Sequence, residues 1–341
     1  MSLISTALSL QDLPPPLPGK IGWPWTKQTE PFSALPDGSR CPRISIITPS
    51  YNQGHYLEET IRSILLQGYP NLEYWVIDGG STDNTLDILQ KYDPYLSWIS
   101  ERDRGQSDAL NKGFRRATGK LIGWQNSDDF YQPQAFFYAA CKLRDCPQAD
   151  AVYGNINFVN ESGQFLQAYP VMTEAESEKM IPYSGVCNHS VFYTHKIFEE
   201  NNYIDESLKH CMDQEFLLRL MIQGYHFVFE PKIVANWRIH EGAKSAQQMN
   251  IWAKEAFDLC KKVYSNPNLE HSLRQKAKES LHGICRDNFG KLRLSLFQQS
   301  VREWVELFGW RSLGLELSLK YGLSFVGKDA IARLKALKNR N

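Results

Sequence analysis

Residues 44–78 read ISIITPSYNQGHYLEETIRSILLQGYPNLEYWVID, and the fold class follows from the change of period inside this stretch. Residues 44–49 form a short, nearly continuous apolar run, the pattern of a strand covered on both faces. In the following segment Leu57, Ile61, Ile64 and Leu65 share one helical face, and Gly68 followed by Pro70 closes the helix. Residues 73–77, EYWVI, make a second buried strand. Strand, helix and strand in succession form a parallel crossover, right-handed by the general rule.

The alternation continues through LSWIS, LIGWQ and AVYGN, with Ser81 or Asp83 placed to cap a helix carrying Leu86 and Leu89. This predicts an α/β fold: a doubly wound, mostly parallel sheet with helices on both faces. After about residue 156 the alternation weakens. A helix opens near Met212, turns Phe216, Leu217, Leu220 and Met221 inward, and stops at Gly224 before the strand YHFVFE. Residues 247–310 read as helices, with Trp252, Ala256, Leu259 and Val263 on one face. Leu313, Leu315, Leu317, Leu319 and Tyr321 alternate as a strand would, but neighbours such as Leu315 and Leu319 also suit a helix, and a helix is expected. The first forty residues, with PPPLP and GWPWT, predict an extended Pro-rich segment docked by Trp23 and Trp25.

Composition narrows the function classes. The chain has 341 residues, 42% hydrophobic and 12% aromatic with 9 Trp, which argues for folded structure. Its 38 basic residues match 38 acidic ones, so no global field recruits nucleic acid. No run approaches the length needed to cross a bilayer, and the first residues lack the pattern of a signal peptide, so a cytoplasmic protein is expected. Seven cysteines without a CxxC pair predict reduced thiols in or near the core.

Open α/β sheets bind ligands at the C-terminal ends of their strands. The first strand ends in Thr48-Pro49-Ser50-Tyr51-Asn52, a turn with neither a dinucleotide nor a P-loop glycine pattern. The second ends in Asp78-Gly79-Gly80-Ser81-Thr82-Asp83. An aspartate there could accept the N3–H of uracil or thymine and would repel cytosine, which lacks that hydrogen. Alternatively Asp78 and Asp83 make turns and caps. Residues 100–113, SERDRGQSDALNKG, open a helix. A further strand leads to Asn126-Ser127-Asp128-Asp129, where adjacent carboxylates invite a cation between them or serve as solvated turn residues.

Taken in order, TPSYNQG, VIDGGSTD, SERDRGQSDALNKG and NSDD resemble the inverting glycosyltransferases of family 2, over roughly residues 43–245. The resemblance implies a GT-A fold in which Thr48, Pro49, Tyr51, Asp78, Asp108 and Asp128 meet the donor nucleotide. It implies Mn²⁺ or Mg²⁺ held by Asp128, Asp129 and His240. Here the first position of the family's frequent DxD motif is Asn126, a poorer ligand than a carboxylate. Downstream, Cys211-Met212-Asp213-Gln214-Glu215 resembles the segment with the catalytic base, which makes Asp213 the base and Glu215 the next carboxylate. Lys244 and Ser245 correspond to residues that hold the diphosphate.

The resemblance divides the chain into the N-terminal segment, 1–40, a GT-A catalytic domain, 41–245, and a helical C-terminal extension, 246–341. Within the domain a nucleotide half covers about 41–130 and an acceptor half about 131–245. The expected activity is transfer of a sugar from a UDP- or dTDP-sugar to a hydroxyl of a glycan or lipid-linked acceptor, in cell-envelope polysaccharide synthesis. A noncatalytic sugar-nucleotide or glycan-binding protein of the same fold is one rival. A nucleotidyltransferase is the other, although its expected lysine is missing from TPSYNQG. From Gly309 onward seven Lys or Arg face two acids. A tail helix with Val326, Ala330, Leu334 and Leu337 on one face could therefore rest on the inner face of an anionic membrane, or pack on the domain as an ordinary helix.

Overall fold

The computed structural model describes residues 3–169, 171–172, 181, 185–244 and 249–338, with side chains as far as Arg333. The strands are β1 (Leu3–Ile4), β2 (Ile44–Ser50), β3 (Leu72–Asp78), β4 (Ser97–Ser100), β5 (Leu121–Trp124), β6 (Phe130–Tyr131), β7 (Ala151–Val159), β8 (Phe165–Tyr169), β9 (Val191–Thr194) and β10 (Phe227–Arg238). Between them run α1 (Gly54–Leu65), α2 (Thr85–Lys91), α3 (Gln106–Phe114), α4 (Ala135–Asp145), α5 (His195–Glu199) and α6 (Met212–Ile222). One sheet takes the order β1-β3-β2-β5-β9-β7-β10-β6, with β4 beside β3 and β8 beside β7.

The expected parallel arrangement holds for β2 with β3 and β5, for β3 with β4, and again for β7 with β10. Between these two groups β9 runs antiparallel to both β5 and β7, so the sheet is mixed. Hydrophobic period marks a strand without fixing its direction.

Side-chain alternation along the strands sends Ile46 and Val76 to one face and Ile47 and Ile77 to the other. The first face is covered by α1, α2 and α4 through residues such as Leu57, Ile61, Leu89 and Phe136. The opposite face is covered by α3, α5 and α6 through Leu110, Phe114, Phe198 and Phe216. Helix α3 lies so close to β2 that a Cβ on Gly113 would stand 2.3 Å from Ile47 Cγ2. That contact fixes the height of α3 above the strand ends.

The N-terminal segment is tied to this unit by Arg62, a fully buried residue of α1. Its guanidinium donates to the carbonyls of Pro14 (2.8 Å), Pro24 (3.1 Å) and Trp25 (3.1 Å), and to the Tyr92 hydroxyl (3.1 Å). Trp25 packs beneath the same guanidinium, 5.6 Å away, and Trp23 Nε1 donates to the Tyr131 carbonyl at 2.8 Å. An irregular chain segment has no ladder for its carbonyls, and a buried arginine supplies the missing donors.

The chain forms two compact units, Met1–Met180 with Ser184–Ala243, and Ile181–Tyr183 with Lys244–Asn341. The second contains α7 (Met249–Ser265), α8 (His271–Gly290), α9 (Leu294–Phe308), α10 (Gly314–Leu323) and α11 (Lys328–Lys338). Its core includes Ala256, Leu259, Leu281, Phe297, Val301, Trp304 and Leu317. Within the 313–325 stretch, where a helix was expected, Gly314–Leu323 is helical. All seven cysteines are free. Among the described residues no helix is long and apolar enough to cross a membrane.

Replacing Arg62 by methionine keeps much of the bulk but strands these buried acceptors. The expected loss is about 3 kcal/mol of unfolding free energy. Denaturant unfolding reads the loss, and limited proteolysis reads faster cleavage between residues 14 and 25.

Candidate active site

The polar segments singled out in the sequence gather at the C-terminal ends of β2, β3 and β5. The first two loops are sewn together. Asn52 adopts a left-handed backbone, φ 51°, from which its side-chain oxygen accepts the Thr82 amide at 2.8 Å. The Asn52 amide donates to Ser81 Oγ at 2.7 Å. Asp83 accepts the Gly54 amide (2.9 Å) and the Thr85 amide (3.0 Å), so one carboxylate holds the starts of both α1 and α2. Tyr51 stands exposed above this seam.

Asp78 is fully buried within it. Its oxygens accept from the Gly80 amide (3.1 Å), the Ser81 amide (2.9 Å), Ser81 Oγ and Ser100 Oγ (2.6 Å). Three of these donors meet Oδ2 and only Ser81 Oγ meets Oδ1, so Oδ1 keeps room for one further donor. These bonds make Asp78 the residue that closes the turn after β3. Thr48 is buried, and its hydroxyl accepts from Tyr74 at 3.2 Å. Pro49 is buried in β2 beside it.

Asp108, in the first turn of α3, is also inward. Arg104 donates to it from its guanidinium (3.0 Å) and its amide (3.1 Å), and Lys112 lies 3.4 Å away. Arg104's side-chain hydrogen bond, opposed by burial and aided by its amide and by Lys112, holds the Asp108 carboxyl down to about 2. It fixes the loop before α3 and presents no free oxygen to a nucleotide in this arrangement.

The two adjacent carboxylates diverge. Asp129 is buried: Oδ1 accepts the Arg238 amide at 2.8 Å, while Oδ2 meets His189 Nε2 at 2.9 Å and Asn126 Nδ2 at 3.1 Å. Both Asp129 oxygens are thus engaged by protein groups in this arrangement. Burial opposes a charged His189, but Asp129 first and then Asp213 and Asp128 outweigh it, so the imidazole is held above its ordinary value. Asp128 turns the other way, with Oδ2 3.2 Å from His240 Nε2 and 3.5 Å from Gln53 Nε2. The expected metal partners Asp128 and His240 are thus side by side. Asn126 supplies no ligand in this arrangement, since its oxygen accepts from Trp124 Nε1 (2.7 Å) and Gln106 Nε2 (2.9 Å).

Arg238 anchors the NSDD turn, a role that the sequence did not signal. Almost fully buried, it donates to the Asp128 carbonyl (2.7 Å), the Glu161 carbonyl (2.7 Å) and Glu59 Oε2 (3.0 Å), besides its amide bond to Asp129. Tyr56 and Phe130 flank the guanidinium at 4.9 and 5.3 Å.

Asp213 opens α6, half-buried, with Oδ1 accepting the Gln214 amide at 2.8 Å. Its charge is felt at Cys187, His189 and Tyr193, which places it against the 187–193 segment. In that neighbourhood the buried atoms Asn188 Nδ2, His189 Nδ1, Tyr193 Oη and Gln214 Nε2 lack a partner. Glu215, the next carboxylate, is bound to Arg219 through both oxygens, at 2.8 and 3.2 Å. Lys244 is exposed at the start of the second unit, and Ser245 lies outside the described residues. Among the described residues no three His, Cys, Asp or Glu side chains form a cage for a metal.

Changing Asn126 to aspartate tests this division of labour. The substitution would replace the amide donor to Asp129 by a second carboxylate in a half-buried position. The expected cost is about 2–3 kcal/mol at neutral pH, read by urea unfolding, with a smaller difference in acid where the added carboxyl is protonated.

Comparison with known proteins agrees with the geometry. The model of glycosyl transferase family 2 matches residues 45–220, just over half of the chain. The chondroitin synthase of Escherichia coli is 28% identical over 224 residues, 64% of this chain and 32% of that protein. The hyaluronan synthase of Pasteurella multocida is 27% identical over 222 residues, 64% of this chain and 23% of that protein. The chain therefore spans about a third or less of the length of these relatives. S. aureus TarS 1–349 in complex with UDP superposes with TM-score 0.56 at 18% identity, covering 82% of this chain and 87% of that one. The mannosyltransferase PcManGT from Pyrobaculum calidifontis, in complex with GDP-Man and Mn²⁺, gives TM-score 0.54 at 18% identity, covering 86% and 90%. The chain belongs to glycosyl transferase family 2 and has its GT-A fold.

Proposed function

We propose that this chain is an inverting glycosyltransferase that moves a sugar from a UDP- or dTDP-sugar to an acceptor hydroxyl, with Asp213 as general base. The observation that carries the reading is the pairing of Asp128 with His240 at the strand ends, while Asp213 acts electrostatically on His189, the residue that holds the neighbouring Asp129. A cation-binding edge and a rigidly mounted carboxylate thus belong to one connected polar framework.

The residues fit a divalent ion, Mn²⁺ or Mg²⁺. Asp128 and His240 offer an oxygen and a nitrogen 3.2 Å apart, and the buried Gln53 Oε1 near Asp128 has no partner of its own. So few protein ligands suit an ion that takes its remaining ligands from diphosphate and water. When bound, the ion neutralises charge growing on the leaving diphosphate.

This chain's own residues do the rest. Asp213 accepts the acceptor's hydroxyl proton as the new bond forms at the anomeric carbon. One base on the acceptor side, opposite the leaving group, inverts the configuration without a covalent intermediate. The Asp78 turn and the exposed Tyr51 ring shape the nucleoside end, and Lys244 with Ser245 is assigned to the diphosphate. The catalytic segment is taken as residues 41–245, with 246–341 as an appended helical region. The relatives' names, chondroitin and hyaluronan synthase, support polysaccharide synthesis, with a glycan or lipid-linked acceptor. UDP in TarS and GDP-Man in PcManGT frame the choice of nucleotide.

Two experiments test the reading. Asp213→Asn should lower turnover by roughly 10²–10⁴ and leave UDP affinity and melting temperature nearly unchanged; a variant that keeps most of its activity removes Asp213 from the role. Calorimetry should show UDP or dTDP binding more tightly than CDP or GDP, and equal affinities would reject the preference for uracil or thymine. Donor binding without transfer or hydrolysis by the wild-type chain, with Mn²⁺ present, would favour the noncatalytic rival.

A further inference from the structure

Helix α10 is apolar on two opposite sides. Leu317 is fully buried among the helices of its own unit, while Leu315 and Leu319 are 78% and 60% exposed and Leu323 extends their stripe. These three lie at i, i+4 and i+8, within one face. The stripe ends in Phe325 and Val326, 64% and 61% exposed. Tyr321, on the same helix, packs against Trp310 at 5.7 Å and Phe325 at 5.3 Å, and Trp310 is itself largely exposed. An exposed apolar stripe of this extent marks a surface that meets something.

We propose that this stripe docks on the surface of an anionic bilayer. The charge around it selects that occupant. Residues 309–341 carry seven Lys or Arg against two acids, and Arg311, Lys328 and Arg333 are exposed. Of the two acids, Glu316 is bonded to Lys320. An isologous contact with a second copy would set this basic stretch against itself, whereas anionic headgroups complement it. Exposed Trp310 and Phe325 beside leucines suit the boundary between headgroups and acyl chains, where aromatic rings accumulate. The site differs from the tail face expected from sequence: Val326 belongs to the stripe, Ile331 of α11 is buried, and the Leu334 and Leu337 side chains lie outside the described residues. The inference is independent of the transfer reaction proposed above.

The test is co-sedimentation of the full chain with phosphatidylcholine vesicles, with and without phosphatidylglycerol. The chain should bind the anionic vesicles and release them as salt rises. Leu315→Glu combined with Leu319→Glu should reduce binding about tenfold or more with the circular dichroism spectrum unchanged. Leu315→Gln combined with Leu319→Gln, which adds no charge, should also weaken it. Absence of vesicle binding by the wild-type chain, or equal binding by the glutamate variant, overturns the proposal. So does sedimentation equilibrium showing a wild-type dimer that the glutamate variant cannot form, since the stripe would then be a contact between copies.

Discussion

The candidate site depends on a buried guanidinium. Arg238 reaches the Asp128 carbonyl, the Glu161 carbonyl and Glu59, and its own amide holds Asp129. An unpaired buried cation costs far more than any one of these bonds returns, so the partners must be present together. The last residue of β10, the turn after β5 and the middle of α1 are therefore positioned as one object. Burial pushes the Glu59 carboxyl up, and Arg238 counteracts this by favouring its charged form. Asp128 can face outward because Arg238 holds its backbone from behind.

The same economy runs through the other carboxylates. Asp78, Asp83, Asp108 and Asp129 each spend their oxygens on backbone amides, hydroxyls or cations of neighbouring loops. Such contacts are charge-assisted and strong for their size. Loops lacking a ladder of their own become rigid through them, which is what a site built on loops requires. Asp128 and Asp213 are the half-buried members of the set.

Much of this architecture was legible in the sequence, and the limits have physical causes. Continuous apolar runs located β2 and β3, which are covered on both faces, and the 3.6 period located α1 and α6, which pack one face on the core. The strand β9 was not read at all, since four residues, VFYT, are too short to show a period. The family resemblance named Asp128 and His240 for one region, and the fold sets them 3.2 Å apart. The resemblance could not tell an outward carboxylate from an inward one: Asp128 and Asp129 are adjacent in sequence and differ in the direction of one peptide unit. Arg238 received no role from the sequence, because residue type and spacing do not show which acceptors meet a guanidinium. Only the convergence of acceptors from α1 and from two separate turns makes it central.

Asn126 shows how these points combine. In isolation an amide where the family often has a carboxylate looks like a lost ligand. Within the folded turn the amide does two things a carboxylate cannot do together: it donates to Asp129 and accepts from Trp124 and Gln106. A carboxylate there would add a third negative charge beside Asp128 and Asp129, with His189 and His240 already engaged as their partners. The amide thus lowers the charge of the turn and leaves one outward carboxylate and one imidazole. On the proposed reading, a site with so few anionic ligands binds a divalent ion weakly by itself and gains most of its affinity from the oxygens of a diphosphate. Ion and donor would then bind cooperatively, each raising the affinity of the other by the same factor.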